Sequence, residues 1–457
     1  MRLELTRVLS PPRLEPLHRR FLPETAPAFA PGLYPEEPET CRRSMREFLP
    51  VLAHLCLIVA VAWRYRLEGR AFLIVLETAS IALPIHYFLP FRYKKPAFLA
   101  VSLLALALIF GPATAAIVTG MGLAFIALAR LPISWSYRAG LMLAATCLLG
   151  LARAGLLGSP VPEVVWPILG SLFMFRMIVY MYELKHAEAP ESLTDALAYF
   201  FLLPNFCFVH FPVVDYRTFR RGYFAKEVHE TQREGLRLMT RGVLHLLVFR
   251  LVYHKLLDRP EDITSIPNLM MFLVCNYLTY LQVSGQFHVA CGMLHLFGFS
   301  LPETHHNYLL ATGFTDYWRR INIYWKDFMV RVVFNPTVFK LKRWGQPASL
   351  AAATVVVFIV TWALHGYQTF WIRGGWRFSP QDGLFWGILG ALVLVNVQID
   401  ASAPRKPRLK SGDMTPKRFA LRAAKTVATF TTIAILWSLW SSASVGSWLA
   451  MWKRALG

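Results

Sequence analysis

From about residue 48 to its end the chain is a succession of apolar segments separated by short polar and basic intervals. A helix needs about 20 mostly apolar residues to cross the hydrocarbon core of a bilayer. Segments that meet or approach this length are 48–65, 71–91, 96–111, 112–130, 139–157, 163–182, 194–211, 238–257, 267–299, 349–372, 382–399 and 420–441. Two are irregular. Residues 96–130 form a helical hairpin around Gly111 and Pro112, and 194–211 is broken by Pro204 and Pro212 in the manner of a re-entrant segment. Non-helical backbone at membrane depth is tolerated only where protein or a water-filled cavity satisfies its polar groups. Leu203 to Phe219 is therefore expected to line a cavity. The pattern predicts an all-α, polytopic helical membrane bundle of about eleven spans with a re-entrant segment.

Between about 300 and 345 the character changes. Glu303, His305, His306, Asn307, Asp316, Arg319, Arg320, Asn322, Lys326, Asp327 and Arg331 crowd into a stretch still rich in aromatics, too polar to face lipid. Tyr317, Ile321, Tyr324, Trp325 and Phe328 give Asp316 to Phe334 the spacing of an amphipathic helix, lying at the interface or packed inside the bundle. Residues 1–47 are rich in Pro, Glu and Arg and lack the basic start and immediate apolar run of a signal peptide, so they read as a cytoplasmic extension before an uncleaved first span. The chain then divides into N-terminal membrane helices (48–190), a core carrying the polar motifs (191–400), and a basic loop with the last membrane helix (401–457). No inverted repeat of the kind found in many secondary transporters is visible.

Composition sharpens the membrane reading. Of 457 residues 55% are apolar and 16% charged, against about 25% charged in soluble domains, and mean hydropathy is +0.42. The net charge of +21 is spread over short clusters such as Arg42, Arg43 and Arg46, then Arg92, Lys94 and Lys95, then Arg405 to Lys410. These suit cytoplasmic loops and an anionic lipid surface, and they argue against nucleic acid as a partner. The expected place is the cell's plasma or inner membrane, crossed many times. Six scattered cysteines without metal-ligand spacing indicate neither a disulfide framework nor structural zinc.

His365, near the end of the apolar run 349–372 and followed by Gly366, is the leading candidate for chemistry, because an ionisable residue inside a membrane segment points to function. Imidazole can take a proton from a hydroxyl, and glycine beside it lets a substrate approach; a hydrogen bond to a neighbouring helix is the plainer role. Asn322 can hold or polarise a carbonyl with its amide NH2, or serve only in helix packing. Arg319 and Arg320 suit a phosphopantetheine or phospholipid anion, or snorkel as interfacial anchors. His288, His295, His305 and His306 lack the spacing of a metal box, so no metal is expected. Helix packing is assigned to the first two and an aqueous surface to the last two.

Several stretches resemble the membrane-bound O-acyltransferase family. The run Ser284-Gly285-Gln286-Phe287-His288-Val289-Ala290-Cys291-Gly292, then Gly298-Phe299 and Pro302-Glu303, is similar to the family's small-residue helix and the motifs after it. Asp316-Tyr317-Trp318-Arg319-Arg320-Ile321-Asn322 resembles its Trp-Arg-Arg signature, and Leu364-His365-Gly366 its Trp-His-Gly motif, with Leu364 and Ile321 in place of tryptophans. Leu203-Pro204-Asn205-Phe206 with Phe211-Pro212 and Tyr216 to Phe219 is similar to the re-entrant stretch, with Asn205 in place of threonine.

The resemblance implies an O-acyltransferase with catalytic His365 and Asn322, and with Trp318, Arg319, Arg320 and Gly366 binding substrate. No cofactor is bound in this reading; acyl-CoA or an acyl-carrier thioester is the donor substrate. The acceptor is a hydroxyl of a cell-surface polysaccharide or lipid, by similarity to the bacterial polysaccharide and teichoic acid branch, with an extracytoplasmic partner acyltransferase that receives the acyl group outside the membrane as a further partner. The alternatives are a transporter or flippase, a noncatalytic family member, and a metal oxygenase.

Overall fold

A computed structural model describes residues 38–159, 161–185, 192–203, 214–376, 378–402 and 415–457. The expected cytoplasmic extension up to residue 37, Pro204 to Pro212 and the cluster Arg405 to Lys410 lie outside the described residues.

Among the described residues, ten helices are long and apolar enough to cross a membrane, which makes this a multi-pass membrane protein. The first six are α1 (Met45–Arg64), α2 (Arg70–Phe88), α3 (Phe91–Phe110), α4 (Pro112–Ala129), α5 (Trp135–Arg153) and α6 (Pro167–Lys185, its first two turns π-helical). The hairpin expected at Gly111 and Pro112 is present. Gly111 takes φ +85, a left-handed conformation that glycine adopts without steric cost, and Pro112 opens α4 at a position where its missing N–H is not needed.

Two of the twelve apolar segments behave differently from the rest. In 194–211 the described helix, α7 (Leu193–Phe201), has nine residues and is too short to span. Leu203, Tyr216 and Phe219 are buried in packing, with Tyr216 against Tyr199 and Phe219 stacked on Phe299, so the described part of this stretch fills the core and does not line the aromatic cavity described below. After the short α8 (Tyr216–Gly222), residues 238–257 prove to be the second half of a longer helix, α9 (Val228–Leu251), continued by one π-helical turn to Leu256. Its arginines and histidines keep it below the apolarity of the spans.

The remaining elements are α10 (Ile266–Leu278) and α11 (Leu281–Leu296), which together make one span, then α12 (Phe314–Arg320), α13 (Ile323–Met329), α14 (Asn335–Lys340), α15 (Gln346–Arg373), α16 (Pro380–Ser402), α17 (Pro416–Trp440) and α18 (Val445–Leu456). The amphipathic helix expected from Asp316 to Phe334 is broken. α12 stops at Arg320, Asn322 turns left-handed, α13 begins afresh, and Val330–Phe334 is π-helical. With Tyr317, Tyr324 and Met329 buried, this stretch packs inside the bundle.

At the centre α9 and α11 run antiparallel in close contact. A Cβ on Gly242 would come within 2.6 Å of the Gly285 carbonyl, and one on Gly235 within 2.7 Å of the Gly292 carbonyl. The relation is reciprocal: Gly285 faces the Gly242 carbonyl and Gly292 the Gly235 carbonyl. Small residues let helix backbones approach where apolar burial alone gives no drive toward association, since lipid is as apolar as leucine. Replacing Gly242 with alanine is expected to cost about 1–3 kcal/mol through overpacking, whereas Gly120→Ala, with nothing within 4 Å, should leave stability unchanged or raised. Thermal unfolding of the two purified variants in detergent checks this; equal melting temperatures would show that the seam is not tight.

Candidate functional site

α15 starts at Gly345 (φ +85) and ends at a left-handed Gly374, so its 28 residues span roughly 42 Å. His365, Gln368, Thr369 and Ile372 recur at helical spacing and line a common face of it, toward a cavity of about 470 Å³. Asn322, Trp318, Trp325, Lys326, Phe175, Tyr280, Phe287, Trp386, Trp437 and Trp440 complete much of the wall. The cavity is therefore mostly aromatic with a few polar groups, the usual character of a small-molecule site.

His365 is half-buried among indoles. Its ring centroid is 4.7 Å from that of Trp386, at an interplanar angle of 32°, 5.8 Å from that of Trp325 and 6.3 Å from that of Trp440. Its carbonyl accepts from the Thr369 hydroxyl at 2.9 Å.

Asn322 is set by its own backbone chemistry. It holds φ +42, ψ +63, a conformation asparagine tolerates better than most residues, and its Oδ1 accepts from the Trp325 N–H at 3.3 Å to cap α13. That cap turns the amide's other end, the NH2, into the group it has for further contacts. The left-handed turn is braced by the segment after α11. The Ile323 N–H donates to the Thr304 carbonyl (2.8 Å), the His306 N–H to the Arg320 carbonyl (2.9 Å) and the Tyr324 hydroxyl to the Pro302 carbonyl (2.6 Å). Trp325 links the two candidates: its N–H is held by Asn322 and its ring lies beside His365.

Of the six residues singled out in the sequence, His365, Asn322 and Trp318 share this cavity. Trp318 also lies 4.8 Å, centroid to centroid, from Phe358. The other three are not among its lining residues. Arg320 donates through Nε to Asp316 Oδ1 at 2.7 Å. Burial lowers the pKa of Arg319, opposed by Asp400 and Asp316. The space a side chain would need at Gly366 is occupied by the Phe378 ring, so that glycine serves a helix-to-loop contact.

The histidines also depart from expectation. His305 is buried, with 1% exposure, where an aqueous surface was expected. Burial pushes its pKa down to about 3, and its Nε2 meets the hydroxyl of Tyr280, a cavity residue, at 3.0 Å. His288 lies between His245 and His305, at ring distances of 5.4 and 5.9 Å. His295 Nε2 accepts from the Leu301 N–H at 2.8 Å, in keeping with a packing role, and the exposed His306 pairs with Glu303. Among the described residues no group of three or more His, Cys, Asp or Glu side chains is arranged to hold a metal ion.

Sequence reasoning missed the contribution of helices outside the central 191–400 segment. Phe175 of α6 and Trp437 and Trp440 of α17 enter the wall. Asp382 was missed as well: its Oδ2 accepts from the Ser379 N–H and hydroxyl, and its Oδ1 from the Trp440 indole N–H at 2.6 Å, fixing the ring beside His365. The Ser-Pro-x-Asp spacing signals a helix start; nothing local to it points to a tryptophan on another helix. The class of protein is thus a multi-pass helical membrane protein with an aromatic cavity built around one histidine. No protein-family model matches the chain, and no curated protein matches it.

The left-handed turn can be separated from the amide. Asn322→Ala should lose a cap worth about 1 kcal/mol and carry a left-handed strain of roughly 1–2 kcal/mol, while Asn322→Gly keeps the turn and should melt near the wild type. Thermal unfolding of both variants measures this; an alanine variant as stable as the glycine variant would remove the left-handed turn from the account.

Proposed function

We propose that the protein is a membrane-embedded O-acyltransferase of the cell's plasma or inner membrane, moving an acyl group, in the simplest case acetyl, from a thioester to a hydroxyl of a cell-surface polysaccharide or lipid. The observation that supports this reading most is the meeting of His365 and Asn322, distant in sequence, in one aromatic cavity with Trp325 in contact with both. The similarity of the surrounding motifs to the membrane-bound O-acyltransferase family agrees with it.

In this reading the His365 imidazole takes the acceptor's hydroxyl proton as the oxygen attacks the thioester carbonyl carbon. Negative charge gathers on the carbonyl oxygen, where the Asn322 NH2 donates a hydrogen bond. The carbon–sulfur bond then breaks, and the imidazolium returns the proton to the departing thiolate, leaving an ester and a thiol. The π-face of Trp386 attracts the positive charge that the imidazole carries in between. General-base help of this kind contributes roughly 10²- to 10⁴-fold to the rate. Donor and acceptor are substrates, and the scheme calls on no bound cofactor or metal. Whether a partner protein receives the acyl group beyond the membrane is decided by the acceptor that becomes labelled.

Membranes containing the wild type should transfer label from acetyl-CoA to endogenous hydroxyl acceptors, and His365→Ala at equal abundance should do so at least about 100-fold more slowly. Asn322→Gly should lower the rate without loss of stability. Equal labelling by wild type and His365→Ala would refute the general-base role, and label crossing the membrane unmodified would favour transport.

A further inference from the structure

A second concavity, of about 510 Å³, lies on the flank of the bundle between α1 and α9, away from the aromatic cavity. The two helices run parallel. Contacts climb them in step: Arg233 to Glu47 (2.8 Å), Thr240 to His54 (2.9 Å) and Arg250 to the Arg66 carbonyl (3.0 Å). Since α1 is a membrane span, these contacts give depth to positions on α9. Arg233 stands level with the first turn of α1, Arg237 one turn further in, and Arg241 with Thr240 level with His54, midway along the span.

Arg233, Arg237 and Arg241, four residues apart, all line the concavity, so three guanidinium groups form one row. Their counter-charges are incomplete. Glu47 pairs with Arg233 at an exposed rim, Glu303 pairs with Arg241 at 3.2 Å, and no ion pair is found for Arg237 among the described residues. Such a row beside a membrane helix is costly unless anions meet it. Leu236 and Leu244 supply the apolar part of the lining; Leu244 is 55% exposed and lies deeper than the arginines. The arginine row thus starts at the end of the span and reaches its middle, with Leu236 between its first two members and Leu244 one turn beyond its last.

We infer that this groove binds an anionic phospholipid, its phosphate held by Arg233 and Arg237 near the end of the span and an acyl chain reaching Leu244. With its head group at the end of the span, the lipid's acyl chain runs past Leu236 and the stem of Arg241, whose charge Glu303 meets, toward Leu244. Guanidinium groups suit phosphate because they donate in a planar fork and are weakly hydrated. A soluble phosphate would meet the arginines but would not call for the leucine. The site is independent of the acyl-transfer reading, since none of its residues lines the aromatic cavity.

The test is lipid retention by the purified full-length protein, measured by native mass spectrometry after incubation with phosphatidylglycerol or phosphatidylcholine. Retention of phosphatidylglycerol at least ten-fold above phosphatidylcholine is expected in the wild type, lost in Arg237→Glu and weakened in Arg237→Gln. Arg237 is chosen because Arg241 holds Glu303, beside the segment that braces Asn322. If Arg237→Glu fails to fold, Arg237→Gln decides. Equal retention of the two lipids, or undiminished phosphatidylglycerol retention in the glutamine variant, would overturn the assignment. So would protection against thermal unfolding by inorganic phosphate alone that equals that of phosphatidylglycerol.

Discussion

The glycine seam between α9 and α11 is the constraint on which the rest of the bundle depends. Gly235 meets Gly292 and Gly242 meets Gly285, so the two helices are fixed in both separation and register. A slide of one helix along the other would bring side chains where only hydrogen atoms fit. In a bilayer this matters more than in water, because contact with lipid already satisfies apolar surface and close van der Waals fit is what remains to favour one arrangement. α11, so fixed, is buried along nearly its whole length and carries Phe287 to the cavity.

From that helix the order passes to the site through backbone hydrogen bonds. Two residues beyond α11 stands Gly298, whose φ of +90 and lack of a side chain admit the Phe224 ring, and the chain returns past Pro302 and Thr304. There it meets the turn at Asn322 and supplies partners for Ile323 and Tyr324. These bonds hold a residue in the left-handed region next to a cavity, where an unbraced chain would continue α12 as a helix. The other side of the cavity is set by indoles, and Asp382 fixes one of them by holding the Trp440 N–H while capping its own helix.

The two concavities divide the polar side chains by role. The inner one sets a single histidine among aromatic rings. The outer one gathers arginines with few acidic partners along a membrane helix. No residue lines both: the outer one is lined by α1 and α9, while α11, the other seam helix, contributes Phe287 to the inner one.

The membrane class and most of the spans were legible in the sequence, because about 20 apolar residues in a row have few other uses and Gly111-Pro112 marks a helix boundary by backbone geometry alone. His365 and Asn322, which share a cavity in the structure, already stand out in the sequence as polar residues within an apolar run and an aromatic one. Two segments took a form that hydropathy does not describe: residues 194–203 hold a nine-residue helix packed in the core, and 238–257 belong to a helix whose polar half lies upstream. Spacing likewise promised one amphipathic helix after Asp316, since periodicity does not register a left-handed residue held by bonds from twenty residues away. The burial of His305, the ring filling the space at Gly366, and the tryptophans brought by α17 were decided only by tertiary structure. Each depends on which helices become neighbours, and that is set by fit between surfaces distant in sequence, a property that no local window of residues contains.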